Sequence, residues 1–430
     1  MKCLGIIKET KNIWERRVPL NPAAVKKLTD NGYRVRVQPS SNRIYTDAEF
    51  LAAGAELDSD LSACDLIMGV KEIPIKSIIA GKPHLFFSHT IKGQDYNMPL
   101  LQYFLDTRST LLDYEKIVDE EGRRLVFFGK FAGNAGMVDA LWAAGQRYWL
   151  EYGIKTPFLK IKQSYQYDSL PQCLEELKEI GREIAENGLP SEICPFNICL
   201  LGYGHVSQGC QEILAAFPVE QVEPEELAGL EDKHVNNKMY MAIFREEHLV
   251  ERRDGGEFNL EDYFAHGDEY KSKMEEFLPY CTMYMSGIYW APGYPIFLKN
   301  RELRKLAGDM PKLIMIGDIT CDIDGSVEAT HKVTMPDNPV FIYDPATDKI
   351  TDGFKGAGFA VCAIDNLPCE FSREASDFFS SALMPFVEAM LNTDYAKSLT
   401  TCGLPAEMKS ACIVHLGELA AEYQYLKKYL

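Results

Sequence analysis

Charged and titratable side chains of complementary type follow one short apolar run after another in this sequence. Lys11 and Arg17 come after the run at 3–8, Lys71 and Glu72 after 66–70, His89 after 85–88, and Tyr114 and Glu115 after 110–113. Further on, Asp322 follows the run at 312–319, and Asp365 and Asn366 follow 359–364. Lysine and histidine are suited to moving a proton near neutral pH, and acids beside them can tune the pair. Lysine and arginine recognise carboxylates, and the planar fork of Arg17 suits a bidentate grip. Together they fit chemistry at a carbonyl or imine on a substrate that carries carboxylates. Each residue also has a plainer reading: Lys71 as a solvated strand end, His89 as a hydrogen-bonded core histidine, Asp365 as a helix N-cap. Their shared position argues for a site, because a parallel α/β sheet gathers ligands at the carboxyl ends of its strands.

A second constellation lies in the middle of the chain. The apolar run 196–201 leads into Gly202-Tyr203-Gly204-His205-Val206-Ser207 and then a helical pattern through 216. Strand, glycine turn and helix in that order make a dinucleotide-binding unit. Gly202 permits the tight turn, Gly204 lets the backbone approach a pyrophosphate, and the small Ser207 lets helix pack on strand. Glu223, after a short strand at 219–222, stands where an acid holds the adenosine ribose. By charge it favours NAD(H), since it would repel a 2′-phosphate.

These residues need elements to position them. Runs at 3–8, 33–38, 66–70, 85–88 and 110–113 alternate with helical stretches such as 22–31, which ends on Asn31-Gly32. Strands separated by crossovers imply a parallel α/β sheet. A long helical pattern at 135–152 reads as a connector to a second domain, 172–187 and 373–392 read as helices, and the tail after 400 is expected to return to the first domain. At 430 residues, two domains are the natural expectation. The net charge of −18 argues against nucleic acid or an anionic membrane as partner, so cations for an anionic substrate must be gathered locally. No apolar run is long enough to span a bilayer, and the opening residues do not read as a signal peptide, so a cytoplasmic location is expected. The 12 cysteines form no CxxC pair and are expected to be buried, reduced thiols, with no metal site.

At these residues a family resemblance emerges. Lys8-Glu9-Thr10-Lys11, continued by Glu15-Arg16-Arg17-Val18-Pro19, resembles the opening of the alanine and saccharopine dehydrogenases. Gly69-Val70-Lys71-Glu72-Ile73-Pro74 and Phe86-Phe87-Ser88-His89-Thr90 resemble the segments that carry their catalytic lysine and histidine. Leu112-Asp113-Tyr114-Glu115 and Ile364-Asp365-Asn366-Leu367-Pro368 resemble the saccharopine-forming subgroup. Gly287-Ile288-Tyr289-Trp290 and Gly317-Asp318-Ile319-Thr320-Cys321-Asp322 resemble its lysine–2-oxoglutarate reductase branch, although Ser286 stands where that pattern has asparagine.

The resemblance implies an α/β fold of two Rossmann-like domains with parallel sheets, the first discontinuous: 1–135 with 365–430 for substrate and catalysis, 136–364 for the dinucleotide. It implies joining of L-lysine and 2-oxoglutarate into saccharopine by reduction of an imine, or the reverse. Lys71 and His89 would be the acid/base pair, and Lys11 and Arg17, with Arg124 or Lys130, would meet carboxylates. Glu72 and Glu115 would tune the pair or hold the lysine end. Gly202, Gly204, His205, Val206, Ser207, Glu223, Asp322, Asp365 and Asn366 would contact the cofactor. The family implies NADP(H), with Lys233 or Lys238 offsetting Glu223; NAD(H) stays open. A homo-oligomer is compatible with all this. Two other readings also stay open: another amino- or imino-acid dehydrogenase of this fold, such as an alanine dehydrogenase, and a cofactor-binding regulatory protein without activity.

Overall fold

Short β-branched and aliphatic runs become strands, and the polar stretches between them fold into crossovers. The computed structural model describes residues 1–430. In chain order the strands are β1 (Cys3–Ile6), β2 (Arg34–Val37), β3 (Glu56–Leu57), β4 (Leu66–Met68), β5 (Pro83–Phe86) and β6 (Thr110–Asp113). They continue with β7 (Asn197–Leu201), β8 (Val219–Val222), β9 (Met239–Phe244), β10 (Val250–Arg252), β11 (Tyr270–Ser272) and β12 (Met283–Ser286). The last are β13 (Met315–Asp318), β14 (Val340–Asp344), β15 (Lys349–Asp352), β16 (Phe359–Cys362), β17 (Cys412–His415) and β18 (Glu418–Leu419). No helix is long and apolar enough to cross a membrane.

The chain divides into two units. The first is Met1–Phe128 with Ser372–Leu430, and the second is Gly129–Phe371. The first unit holds an eight-stranded sheet in the order β18-β17-β6-β5-β4-β1-β2-β3. From β6 to β3 all neighbours are parallel, and β17 closes the other side antiparallel to β6. The chain winds from β1 to β2 and β3 on one side, then starts again at β4 on the other. β1 and β4 therefore flank the point where the winding reverses, and their carboxyl ends open a crevice there. Helix α1 (Pro22–Asp30) follows β1, capped by the Asn21 side chain on the Ala24 N–H at 2.9 Å.

The second unit holds a sheet in the order β15-β14-β16-β13-β12-β7-β9-β8. The strands from β8 to β16 run parallel, and β14 and β15 are antiparallel additions. Here the winding reverses between β7 and β12. Both sheets are thus Rossmann-like. The core on one face of the second sheet includes Leu201, Phe244, Tyr284, Ile316, Phe341 and Val361, all fully buried. Each such side chain contributes roughly 1.5–3 kcal/mol.

Three expectations need correction. The connector helix, α2 (Gly129–Tyr152), starts ahead of residue 135, and it belongs to the second unit from its first residue. Its glycines are poor helix formers by propensity, but they allow close approach to α3 (His205–Leu214). A Cβ on Gly133 would lie 1.9 Å from the Val206 carbonyl oxygen, and one on Gly209 would lie 2.0 Å from that of Lys130. At the other boundary, the segment 365–371 stays with the second unit, where Leu367 lies against Gly136 of α2. The long helix α4 (Ser372–Asn392) then begins the return to the first unit. Finally, Cys199 and Cys281 are not reduced thiols but a disulfide. Cys199 lies in β7 and Cys281 just ahead of the parallel neighbour β12, which brings their Cα atoms to 5.9 Å.

Candidate active site

In the first unit, the exits of β1, β4, β5 and β6 lie side by side along one edge of the sheet. Glu9, just past β1, clasps the exit of β4: it accepts the Val70 N–H at 2.6 Å and the Lys71 N–H at 3.0 Å. Burial, and then the charge of Glu15, push its carboxyl up to about 8. Tyr114, past β6, donates its hydroxyl to the Gly69 carbonyl at 2.9 Å. The backbone that presents Lys71 is therefore held from both sides.

Lys71 has its pKa lowered, first by burial and then by the positive charges of Arg17 and Lys11, against the pull of Glu15 and Glu72. Glu72 accepts a 2.5 Å hydrogen bond from His89 Nδ1 and lies 3.6 Å from Lys11 Nζ. Burial opposes ionisation of Glu72, but the hydrogen bond and charge of His89 and the charge of Lys11 outweigh it and bring its pKa down to about 2. A carboxylate on Nδ1 fixes the tautomer and leaves Nε2 as the working nitrogen. His89 sits at φ 52°, a region non-glycine residues seldom occupy, and its carbonyl accepts Asn97 Nδ2 at 3.2 Å. Its ring stacks on Phe87 with centroids 6.2 Å apart.

Glu115, past β6, pairs with Arg124 at 3.2 Å through Oε1, while Oε2 is buried with no hydrogen-bond partner. A carboxyl oxygen in that position is a ready acceptor for an ammonium group. Asp113 beside it is occupied structurally, accepting the Ser88 N–H at 2.9 Å and the Ser88 hydroxyl at 2.5 Å.

The structure corrects the expectation for Arg17. Its fork does not face an open site: Nε and Nη2 donate to Glu15 at 2.8 and 2.6 Å, in a pair whose side chains are 1% and 0% exposed. The guanidinium also lies 4.1 Å from the Phe128 ring centroid. What Arg17 gives the site is its charge on Lys71. Lys130 is likewise occupied, donating to Glu212 at 3.1 Å within the second unit. Glu9 and Glu15 went unassigned as functional residues, although both stand inside the opening motif. Glutamates two residues from an arginine and two before a lysine were the available signal.

In the second unit, β7 runs into the glycine turn and α3 as expected. Gly202 has φ +93°, which only glycine adopts freely. A Cβ on Gly204 would meet nothing within 4 Å, so the turn is open there to a bulky ligand. Within α3, Ser207 is fully buried, His205 is exposed and Val206 half-buried. This cradle, at the N-terminus of a ten-residue helix, fits the pyrophosphate of a dinucleotide. Asp322 lies exposed in the turn after β13, while Asp318, which ends that strand, is buried between the Thr320 and Thr330 hydroxyls at 2.6 Å each. Asp365 and Asn366 follow β16, with Asn366 left-handed at φ 66°.

For Glu223 the strand order differs from the one expected. It does follow β8, but β8 is the edge strand, and β9 lies between it and β7. The alternation Val-Glu-Gln-Val leaves β8 half exposed, as an edge tolerates, whereas the unbroken apolar run of β9 is buried along nearly its whole length. Glu223 is exposed and its N–H donates to Glu226 at 2.9 Å. Lys238, ahead of β9, pairs with Glu220 at 2.7 Å, and Lys233 ends a short helix further upstream. The strand beside β7 delivers Arg245 instead, a residue not singled out from the sequence.

Residues 5–135 match the family model described as alanine dehydrogenase/PNT, N-terminal domain. The chain is 39% identical over 444 residues to the alpha-aminoadipic semialdehyde synthase of Arabidopsis thaliana, covering 99% of this chain and 41% of that protein. It thus spans less than half the length of that relative. It is 28% identical over 402 residues to the saccharopine dehydrogenase (NAD(+), L-lysine-forming) of Yarrowia lipolytica, covering 90% and 92% of the two chains. Among solved structures, an L-alanine dehydrogenase shares the fold with a TM-score of 0.62 at 16% identity, covering 99% of this chain and 98% of its own.

Proposed function

We propose that this chain, whose residues 5–135 match the alanine dehydrogenase/PNT N-terminal domain and which is similar over nearly its whole length to saccharopine-metabolising enzymes, is a nicotinamide-dependent oxidoreductase that interconverts saccharopine with L-lysine and 2-oxoglutarate. The reading rests on one observation above all: Lys71 comes directly before Glu72, whose carboxylate fixes the ring of His89 through Nδ1.

In the forming direction the ε-nitrogen of lysine attacks the keto carbon, the carbonyl oxygen leaves as water, and the C=N bond becomes a secondary amine. A bound nicotinamide dinucleotide supplies the hydride for that last change. The protein's share is to handle protons and charge. Lys71, as the ammonium, gives a proton to the departing oxygen, and its lowered pKa makes that transfer easier. His89 Nε2 takes the proton that the attacking nitrogen must lose, and the Glu72 carboxylate stabilises the imidazolium that results. The buried, unpaired Oε2 of Glu115 accepts the α-ammonium of the lysine half. Lys11 and Arg124, each already beside a glutamate, meet substrate carboxylates. Gly202, Gly204, His205, Val206 and Ser207 would hold the pyrophosphate, with Asp322, Asp365 and Asn366 toward the nicotinamide end.

The test follows absorbance of the reduced cofactor in three mixtures: lysine with 2-oxoglutarate, ornithine with 2-oxoglutarate, and ammonia with pyruvate. The first is expected to be fastest by a wide margin, because a truncated or displaced ammonium leaves buried carboxylates unpaired. If ammonia with pyruvate is fastest, the proposal fails and an alanine dehydrogenase takes its place.

A further inference from the structure

The two sheets carry cysteines in matching places. In the second, Cys199 of β7 is bonded to Cys281, two residues ahead of β12, across the point where the winding reverses. In the first, Cys3 opens β1, and Cys64 stands two residues ahead of β4, across the corresponding point. These two are free thiols, and their sulfurs are 3.4 Å apart. The backbone around them is already fixed. The Asp65 N–H donates to the Cys3 carbonyl at 2.7 Å, and the Cys3 N–H donates to Asp65 Oδ2 at 2.8 Å. Cys3 and Gly5 share one face of β1, and the Cys64 side chain lies over that face: a Cβ on Gly5 would be 3.1 Å from its sulfur. A disulfide needs the sulfurs at about 2.0 Å, a short closure that side-chain rotation can supply.

We infer that Cys3 and Cys64 are a redox-active dithiol that a hydroperoxide converts into a disulfide, tying β1 to β4. The inference stands apart from the proposed reaction, whose Lys11 and Lys71 follow the opposite ends of the same strands. The two thiols differ in role. The hydrogen bond from Cys64 brings the Cys3 thiol down to about 7 against the effect of burial, and the charges of Arg36 and Arg34 on β2 add to it. The same bond, and then burial, push the Cys64 thiol up. Cys3 is thus the thiolate and the attacking group, and Cys64 the neutral thiol that resolves the product. Cys3 is also the one with some exposure, 4% against 0%. Its sulfur attacks one peroxide oxygen: the S–O bond forms, the O–O bond breaks, and the departing oxygen takes a proton from water. Cys64 then attacks the sulfenic sulfur of Cys3: the S–S bond forms, the S–O bond breaks, and the leaving hydroxide takes the Cys64 proton away as water. Two thiols are oxidised and one hydroperoxide is reduced to an alcohol or, from hydrogen peroxide, to water. An external dithiol reverses the change by two exchange steps and becomes a disulfide itself. Cys210 and Cys412 offer a contrast, because burial pushes both thiols up and neither competes as a thiolate.

The test treats the whole protein with hydrogen peroxide, alkylates the remaining thiols in denaturant, and maps a tryptic digest without reduction. Cys3 falls in the peptide 3–8 and Cys64 in the peptide 44–71, each with no other cysteine. The two peptides are expected to appear joined, two hydrogens lighter than their sum, and to come apart when a dithiol is added before alkylation. Joining should run at least about 10-fold faster than any oxidation of Cys210 or Cys412. In Cys64→Ser, Cys3 should stop at a sulfenic acid that dimedone labels, and in Cys3→Ser, Cys64 should take little label. Recovery of the two wild-type peptides alkylated and apart, or joined to other cysteine peptides instead, would overturn the assignment. That map needs only the wild type, so it decides the matter even where a variant does not fold.

Discussion

Replacing Glu72 separates two things its carboxylate does for His89. In Glu72→Ala the 2.5 Å hydrogen bond to Nδ1 disappears together with its charge. A hydrogen bond to a charged group contributes about 1.5–3 kcal/mol. If His89 is cationic in the rate-limiting state, all of that appears in the barrier, and kcat should fall roughly 10- to 150-fold at about 1.4 kcal/mol per decade. Glu72→Gln keeps a carbonyl oxygen that can accept from Nδ1 but loses the charge. A neutral bond is about half as strong, so the loss should be about 3- to 12-fold. The pH profile supplies an independent sign. Glu72 is ionised above its pKa of about 2, and its negative charge works to raise the pKa of Lys71. Removing that charge lets burial, Arg17 and Lys11 act with less opposition, so the limb on which Lys71 loses its proton should move to lower pH. Steady-state rates of saccharopine formation between pH 6 and 10, for wild type and both variants, give all of these quantities. Equal rates in Gln and Ala variants, or a limb moving to higher pH, would refute the arrangement.

His89→Ala and Lys71→Met are each expected to lower kcat by about 10²–10⁴ while thermal melting stays within a few degrees of wild type; near-normal turnover in both would remove the acid/base assignment. Glu15→Ala leaves the charge of Arg17 buried without its bidentate partner, and denaturant unfolding should show a loss of about 3–5 kcal/mol from the first unit. A change below about 1 kcal/mol there would mean that Arg17 is free to turn toward substrate after all.

What could be read from the sequence depended on whether a residue's role was set locally. The exits of β1, β4, β5 and β6 were legible because each apolar run ends where a charge begins, and parallel winding brings such ends to one edge. The glycine turn was legible for the same reason: Gly202 and Gly204 act through their own backbone. Arg17 was read as a substrate clamp because its side chain suits one, and only the fold shows that Glu15, two residues away, already fills the fork. Glu223 was assigned by counting residues from the turn. Counting assumes that the next strand in the chain is the next strand in the sheet, and here the chain places β8 outside β9. The all-apolar run of β9 against the mixed run of β8 carried the information, since an inner strand is buried on both faces. The start of α2 was missed because its glycines lower helix propensity, while their value lies in contact with a helix more than sixty residues further along the chain.

The pairing of β17 with β6 has a consequence for synthesis on the ribosome. Leu112 and Cys412 are partners in the first sheet, so the edge of β6 away from β5 has no neighbour until about 300 further residues have been made. At roughly 5–20 residues per second, that interval is about 15–60 s. The second unit comes from one unbroken stretch, Gly129–Phe371, and can finish its sheet within that time. The first unit must wait with an open strand edge, the kind of surface that pairs with other chains when left uncovered. Yield of folded protein should therefore depend on the closing segment more than its small share of the chain suggests: a chain ending at residue 411 would keep every candidate site residue and still present β6 bare.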